Sequence, residues 1–402
     1  MRSILKTFIY FFILLGVVFI PMESYVIPIQ GELAIWVFGD LANLLVEDHL
    51  AFSSDTLGLN VLIFFLLLLA LIISFFLSPT KYWSEKKTKI LHIISLIGVY
   101  YLSSRLLIYG FDKVFQTQFY TPEPNILYTP FGFLSKDILF WSTMGTSTWY
   151  CVLSGLAEII PAVLLLFRKT RVAGLLLTLF VLLHVLVINI GFDISVKLYS
   201  TFLLLITLVL IAPYYKSLIA FFFKEEAVRI KVLPITFVNH HWRKSLKFFV
   251  VGMMLIEALK FPISTGYLSD DRYPRPYLHG AYEVVDIEET EHEDTLVSST
   301  IKRIFVHRRG FLILQYADDR TEDFQLNIDR EQEVFEVQSM DGELKKLPYR
   351  VDKTETILKL GDYTYDDQLV WIVSERLNWE ALPALQDEFH WTIDEFKVDG
   401  NH

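Results

Sequence analysis

The sequence predicts a polytopic α-helical membrane bundle of about seven spans, followed by a C-terminal antiparallel all-β domain, barrel-like or a sandwich. Three observations predict it. Apolar runs of bilayer length recur from Phe8 to about Ile263, and about 20 apolar residues cross a hydrocarbon core about 30 Å thick. From Ser264 onward charged residues crowd in and the apolar runs shrink to strand length. The 402 residues are 53% hydrophobic with mean hydropathy +0.41, above the roughly 45–50% apolar content of soluble domains. Two solvents imply two domains, a helical one over 1–265 and a soluble one over 266–402.

The expected spans are Thr7–Met22, Gly58–Ser78, Ile90–Phe111, Thr148–Phe167, Val172–Phe192, Leu198–Tyr215 and Ser245–Ile263. The first has a basic start like a signal peptide, but "IPME" is not a small-residue cleavage site, so it reads as a retained helix. Alternate loops differ in charge. "KYWSEKKTK", "RKTR" and residues 216–247 are basic, whereas residues 23–57 hold no Lys or Arg and 112–147 only Lys113 and Lys136. Basic loops stay in the cytoplasm. The N-terminus is therefore expected in the cytoplasm and the C-terminal domain outside it.

Two outer loops look ordered. Residues 31–50 place apolar residues at helical spacing with acids between, as an interfacial helix does. Residues 120–147 set Pro122, Pro124 and Pro130 among aromatics, which blocks a span and suits an interface. On the inner side "YYKSLIAFFFKEE" reads as another interfacial helix.

Beyond residue 276, eight short runs from "YEVVDIEE" to "QLVWIVSERL" are separated by turn formers such as "DDRT" and "MDGE". Strands at that spacing suit an antiparallel barrel or sandwich. "LHGAYEV" at the entrance is similar to a lipocalin opening, and "ETEHED" (289–294) reads as a solvated loop. Such a barrel either holds an apolar ligand or is filled by its own side chains.

Several function classes are disfavoured. A net charge of -10 argues against nucleic acid, whose binding needs a basic face. One cysteine, Cys151, gives no dithiol. No heme, flavin or metal motif is present, and the adjacent His240 and His241 point apart on a helix. No internal repeat or broken helix pair suggests a transporter.

Polar residues inside the spans carry the chemistry. Tyr101, Arg105, Tyr109 and Asp112 fall on one helix face, with Lys113 at its end. Glu158 lies near mid-depth on a face with Ser154, Gly155 and Ala162, where small residues admit a neighbouring helix. His184 and Asn189 are on the next span, Asp193 and Lys197 in a short outer turn, and Glu257 and Lys260 on the last span. Charges in hydrocarbon turn inward and pair, so Arg105 is expected to face Glu158 with His184 nearby. Two readings stand: a polar pocket open to the outer face, or an ion pair that locks the bundle.

"RLLIYGFDKVFQTQF" and "GLAEIIPAVLLLFRKTRVAGLLLTLFVLLHVLVINIGFD" resemble the DoxX-like family of bacterial integral membrane proteins, with Arg105, Gly110, Lys113 and Glu158 matching its polar landmarks. "NIGFDISVKLYSTFLLLITLVLIAP" looks like the long members, which carry extra helices and a soluble C-terminal domain. The likeness covers residues 90 to 215. It implies a bacterial inner (cytoplasmic) membrane protein and an association with quinone-linked redox complexes that handle sulfur or oxidative stress. On that reading a membrane quinone is the bound carrier. Arg105 holds an anion or the quinone oxygen, Glu158 and His184 move protons, and Tyr101, Tyr109, Asp112, Lys113, Asn189, Asp193 and Lys197 line the site. The alternative is a non-enzymatic envelope protein whose outer β domain binds a lipid or a protein partner.

Overall fold

A computed structural model describes residues 2–20, 30–43, 52, 54–224, 227, 240–288, 301–363, 369–386 and 391–392. The "ETEHED" stretch and the side chains of His240 and His241 lie outside the described residues. The chain forms two compact units, one of 1–118 with 149–269 and one of 119–148 with 270–402. The segment between the third and fourth expected spans thus belongs with the C-terminal residues, not with the helices, and the domain boundary expected at 265 is only part of the division.

In the helical unit the expected spans appear as α1 (Arg2–Phe19), α3 (Leu57–Leu77), α4 (Lys81–Val114), α7 (Thr148–Leu166), α8 (Arg171–Gly191), α9 (Lys197–Ile211) and α11 (His240–Thr265). α2 (Gln30–Asn43) and α10 (Tyr215–Phe223) occupy the two stretches read as interfacial helices. Among the described residues five stretches, α3, α4, α7, α8 and α9 continued through α10, are long and apolar enough to cross a membrane, whereas α1 offers the shorter apolar run Ile4–Phe19. The side of α3 turned away from the bundle exposes Phe64, Leu68, Leu71, Ile72, Phe75 and Phe76. A continuous apolar face of that size suits lipid, not water.

Local sequence sets the helix starts. Thr56 and Thr80 accept from the backbone N–H of Leu59 and Trp83, three residues on, the usual N-cap bond. α9 is capped from afar: both oxygens of Asp55 accept from the N–H groups of Lys197 and Leu198 at 2.9 Å. α4 is the centre of the unit, with half of its apolar window buried against 28% for α3 and α8. It meets α7 at a glycine contact. A Cβ on Gly155 would lie 2.5 Å from the Gly110 carbonyl oxygen. One turn-pair further along, the Ser103 hydroxyl donates to the Ala162 carbonyl at 2.8 Å. Gly155 and Ala162 therefore do admit a neighbouring helix, and it is α4.

In the second unit eight strands close an up-and-down antiparallel barrel: β1 (Gly280–Glu288), β2 (Ile301–His307), β3 (Phe311–Tyr316), β4 (Thr321–Asp329), β5 (Val334–Gln338), β6 (Leu344–Val351), β7 (Ile357–Tyr363) and β8 (Leu369–Arg376), with β8 pairing back to β1. Closure removes both sheet edges. The hairpins turn where the sequence allows it: Asp319 at φ 63° in "DDRT" and Gly342 at φ 87° in "MDGE". Tyr282, Ile304, Val306, Leu312, Phe335 and Leu358 fill the interior, all fully buried. The barrel is thus filled by its own side chains, and the Tyr282 hydroxyl donates to the Leu278 carbonyl within it.

The segment 119–148 packs on the outside of this barrel through α5 (Pro124–Leu127), a 3-10 turn and α6 (Lys136–Gly145). Ring stacking of Tyr128 on Phe305, centroids 6.3 Å apart, explains why β2 buries three residues in succession instead of alternating. Ile304 and Val306 face the interior and Phe305 faces α5 and Trp379.

Candidate functional site

The C-terminal half of α4 carries buried charged side chains, but with partners other than those expected. Arg105 pairs with Glu257 of α11 (Nη2 to Oε1 3.6 Å), and Glu158 pairs with Lys113 (Oε1 to Nζ 3.1 Å). The expected Arg105–Glu158 pair is replaced by two pairs. The glycine contact explains the choice for Glu158. It brings α7 against the end of α4, where Lys113 stands three residues beyond Gly110. All four charged side chains are at most 10% exposed.

Tyrosines bridge the pairs. Arg105 lies over the Tyr101 ring at 5.7 Å, and the Tyr101 hydroxyl shares a 2.9 Å hydrogen bond with Tyr199 of α9. Lys113 lies 5.7 Å from the Tyr109 ring and donates to Gln118 at 2.8 Å. Tyr109 feels both the Arg105 and the Glu158 charge. Within this cluster three buried atoms have no hydrogen-bond partner among the described residues: Arg105 Nε, Glu158 Oε2 and Glu257 Oε1. A buried charged group short of a hydrogen bond costs on the order of 1–3 kcal/mol or more. A buried donor or acceptor short of a hydrogen bond can take one from a small polar group.

The other expected site residues are elsewhere. His184 is exposed on the surface of α8, because its position on that helix faces away from α9 while Asn189 faces it. Asn189 donates to Ser200 at 3.1 Å and ties α8 to α9. Asp193, at φ 53°, and Asp55 share Lys197, at 2.8 and 3.4 Å, so this trio fixes the α8–α9 turn. Asp112 accepts from the Thr117 hydroxyl at 3.1 Å, at the end of α4. Tyr199 and Glu257 join the site without having been singled out for it. Their pairing crosses helices, and no spacing along the chain encodes that.

A second charged cluster, unforeseen from the sequence, lies in the barrel unit. Arg308 donates through Nε to Glu123 and through Nη1 to Asp270 at 2.7 Å. His279 Nε2 bonds the other Glu123 oxygen at 2.8 Å, and the Thr121 carbonyl takes Arg308 Nη2 at 3.1 Å. Every arm of the guanidinium is satisfied, and Tyr120 lies under it at 4.5 Å. This cluster is complete within itself and reads as the staple that holds segment 119–148 to the barrel. Burial pushes the Glu123 carboxyl up, but the His279 hydrogen bond and the Arg308 charge overrule it and bring it down to about 2. Burial holds His307 down at about 4, against the pull of Glu123.

Acid should therefore loosen this unit in two stages. His307 favours the folded state fully above its ordinary 6.5, and that contribution is lost as pH falls toward about 4. The Glu123 contribution is full above 4.5 and is lost as pH falls toward about 2. Thermal melts of the full chain between pH 7.5 and 3 should show stability declining from near pH 6.5, and His307→Gln should flatten the upper stage. A stability that rises on acidification would overturn the assignment.

Among known proteins, no family model and no solved structure matches the chain. The uncharacterized protein YwoB of Bacillus subtilis (strain 168) is 32% identical to it over 112 residues, which are 70% of that protein and 28% of this chain. The chain belongs to the YwoB family. The YwoB-like stretch is just over a quarter of this chain, so YwoB is much the shorter protein. Membership carries no activity with it.

Proposed function

We propose that the helical unit is a DoxX-like component of a quinone-linked membrane redox complex, with its polar pocket at the outer end of α4. The observation that carries this reading is the set of buried charged atoms that make no hydrogen bond among the described residues, Arg105 Nε, Glu158 Oε2 and Glu257 Oε1, beside Tyr101, Tyr109 and Tyr199. A quinone offers two carbonyl oxygens that accept hydrogen bonds and, when bound, supplies two-electron redox capacity. On this reading Arg105 Nε donates to such an oxygen, and the two carboxylates take and give protons. His184 is not in this set, and its expected proton role is not carried forward. Electrons would come from a partner in the complex, since the chain holds no dithiol.

The proposed setting is a bacterial inner membrane, N-terminus in the cytoplasm and barrel outside it. Parity supports this topology. Segment 119–148 and the barrel form one unit, so an even number of crossings must separate them. The helices between are α7, α8, α9 with α10, and α11. Counting α11 as a crossing gives four and agrees with the seven-span reading. A Cys-accessibility scan with a reporter at residue 135 and another at 343 should label both from the same side.

The second reading, a non-enzymatic envelope protein, is favoured by the Lys113–Glu158 pair, which sits on the α4–α7 contact where a lock would be. Its lipid or protein partner would then bind the outside of the barrel, since the interior is filled. The two readings separate in one experiment. Small molecules that copurify with the wild type, Arg105→Ala and Glu257→Gln are identified by mass spectrometry. On the redox reading a quinone accompanies the wild type at near-stoichiometric level and is lost from both folded variants. Bulk lipid alone, equal in all three, would sink it. A double-mutant cycle supplies the energetic check. Each single change should destabilise by about 3–5 kcal/mol, and the double change by less than their sum.

A further inference from the structure

At the other end of the bundle, α4, α8 and α9 border a small cavity of about 50 Å³ that is open at its mouth. Its polar lining is basic: His92 of α4, Arg168 in the α7–α8 turn and Arg171 at the start of α8, with the Tyr214 and Ser95 hydroxyls. No carboxylate is among the described residues that line it. Its remaining wall is apolar, with Leu96, Leu175 and Leu210 facing the basic groups.

Arg171 is held in place. The Leu165 carbonyl accepts from its Nε at 3.1 Å, which fixes the guanidinium and leaves its terminal nitrogens without a protein acceptor among the described residues. Lys247 of α11 is near enough to Arg171 to add its charge, and its ammonium is anchored on the Leu166 carbonyl at 2.8 Å. α8 also begins here without a side-chain cap, because the Thr170 hydroxyl donates back to the Leu164 carbonyl. Its positive end therefore adds to the same field. Arg171, Lys247 and the start of α8 together make the field at this cavity positive, and a positive field favours an anion.

We propose that this cavity binds a phosphate group, and that its apolar wall selects the phosphate of an anionic phospholipid. Arg171 offers its terminal nitrogens to phosphate oxygens, Arg168 adds its charge, and the leucines lie against the acyl chains or glycerol. The site is separate from the pocket around Arg105 and does not depend on the redox reading.

The test uses the full chain, purified in detergent, stripped of native lipid and titrated under native mass spectrometry. The probes are dioleoyl phosphatidylglycerol, dioleoyl phosphatidylcholine and inorganic phosphate. The wild type should take up one phosphatidylglycerol in preference to phosphatidylcholine. Arg168→Gln should weaken that binding about fivefold, the loss expected for one basic group at a membrane surface. Arg171→Gln should do the same where it folds. Ser95→Trp, which fills the cavity and leaves its charges, should abolish the preference and keeps the test open if Arg171→Gln does not fold. Displacement by millimolar inorganic phosphate would make free phosphate the occupant of the same site, and retention against phosphate would assign it to lipid. Equal uptake of the two lipids by the wild type overturns the proposal, and so does a preference that survives in folded Arg168→Gln and Ser95→Trp.

Discussion

Arg308→Ala should cost the barrel unit about 3–5 kcal/mol, the usual penalty for removing one partner of a buried ion cluster. The change leaves Glu123 and Asp270, 1% and 2% exposed, without the guanidinium that satisfies both. Asp270 would keep Arg275 at 3.0 Å, and Glu123 would keep His279, so the loss should be partial and the barrel itself should persist. The segment 119–148 should release first. Limited proteolysis of the full chain should then cut between residues 119 and 148 in the variant and not in the wild type. Arg308→Lys, which keeps the charge without the fork, should fall between the two. A variant within about 1 kcal/mol of the wild type would show that the cluster is not a staple.

Gly155→Val should remove the folded helical unit from the membrane altogether. Even one methyl at Gly155 would stand 2.5 Å from the Gly110 carbonyl oxygen and 2.8 Å from a Val114 methyl. Backbone cannot yield as a flexible side chain does, so α7 must move off α4 and take Glu158 away from Lys113. Gly155→Ala should already lower the monodisperse fraction seen by size exclusion in detergent. Gly252→Ala is the control. Its added methyl meets nothing within 4 Å, and the helix should gain up to about 1 kcal/mol from the better helix former. Equal folded yields for Gly155→Ala and the wild type would mean that the crossing is looser than its geometry.

The helices and strands were legible because each is a local pattern. Long apolar runs between charged loops marked α3, α4, α7 and α8, and all eight barrel strands fall on the runs between turn formers. Barrel closure was not legible beyond a choice between barrel and sandwich, since the β1–β8 pairing joins residues about 90 apart. The site was half legible. Arg105, Tyr101 and Tyr109 were found because one helix face repeats every three to four residues. Their partners come from other helices, whose rotation no single helix records. Thus Glu257 and Tyr199 were missed as site members, Glu158 was given the wrong cation, and His184 was turned inward when α8 turns it out. Glu123 was hidden for a related reason. In "TPEPNIL" it looks like one acid in a proline-rich loop, and only the arrival of Arg308 gives it a role.

That arrival has a cost in time. Glu123 and Arg308 are 185 residues apart in the chain, which at about 5–20 residues per second of synthesis is on the order of 10–40 s. During that interval α7 to α11 must be made and placed while a carboxylate destined for burial stands open. Segment 119–148 is thus a receptor made early for strands made later. The nascent protein passes through an obligatory state in which α5 and α6 have no barrel to rest on. At that stage Tyr128 lacks the Phe305 ring on which it stacks in the finished unit.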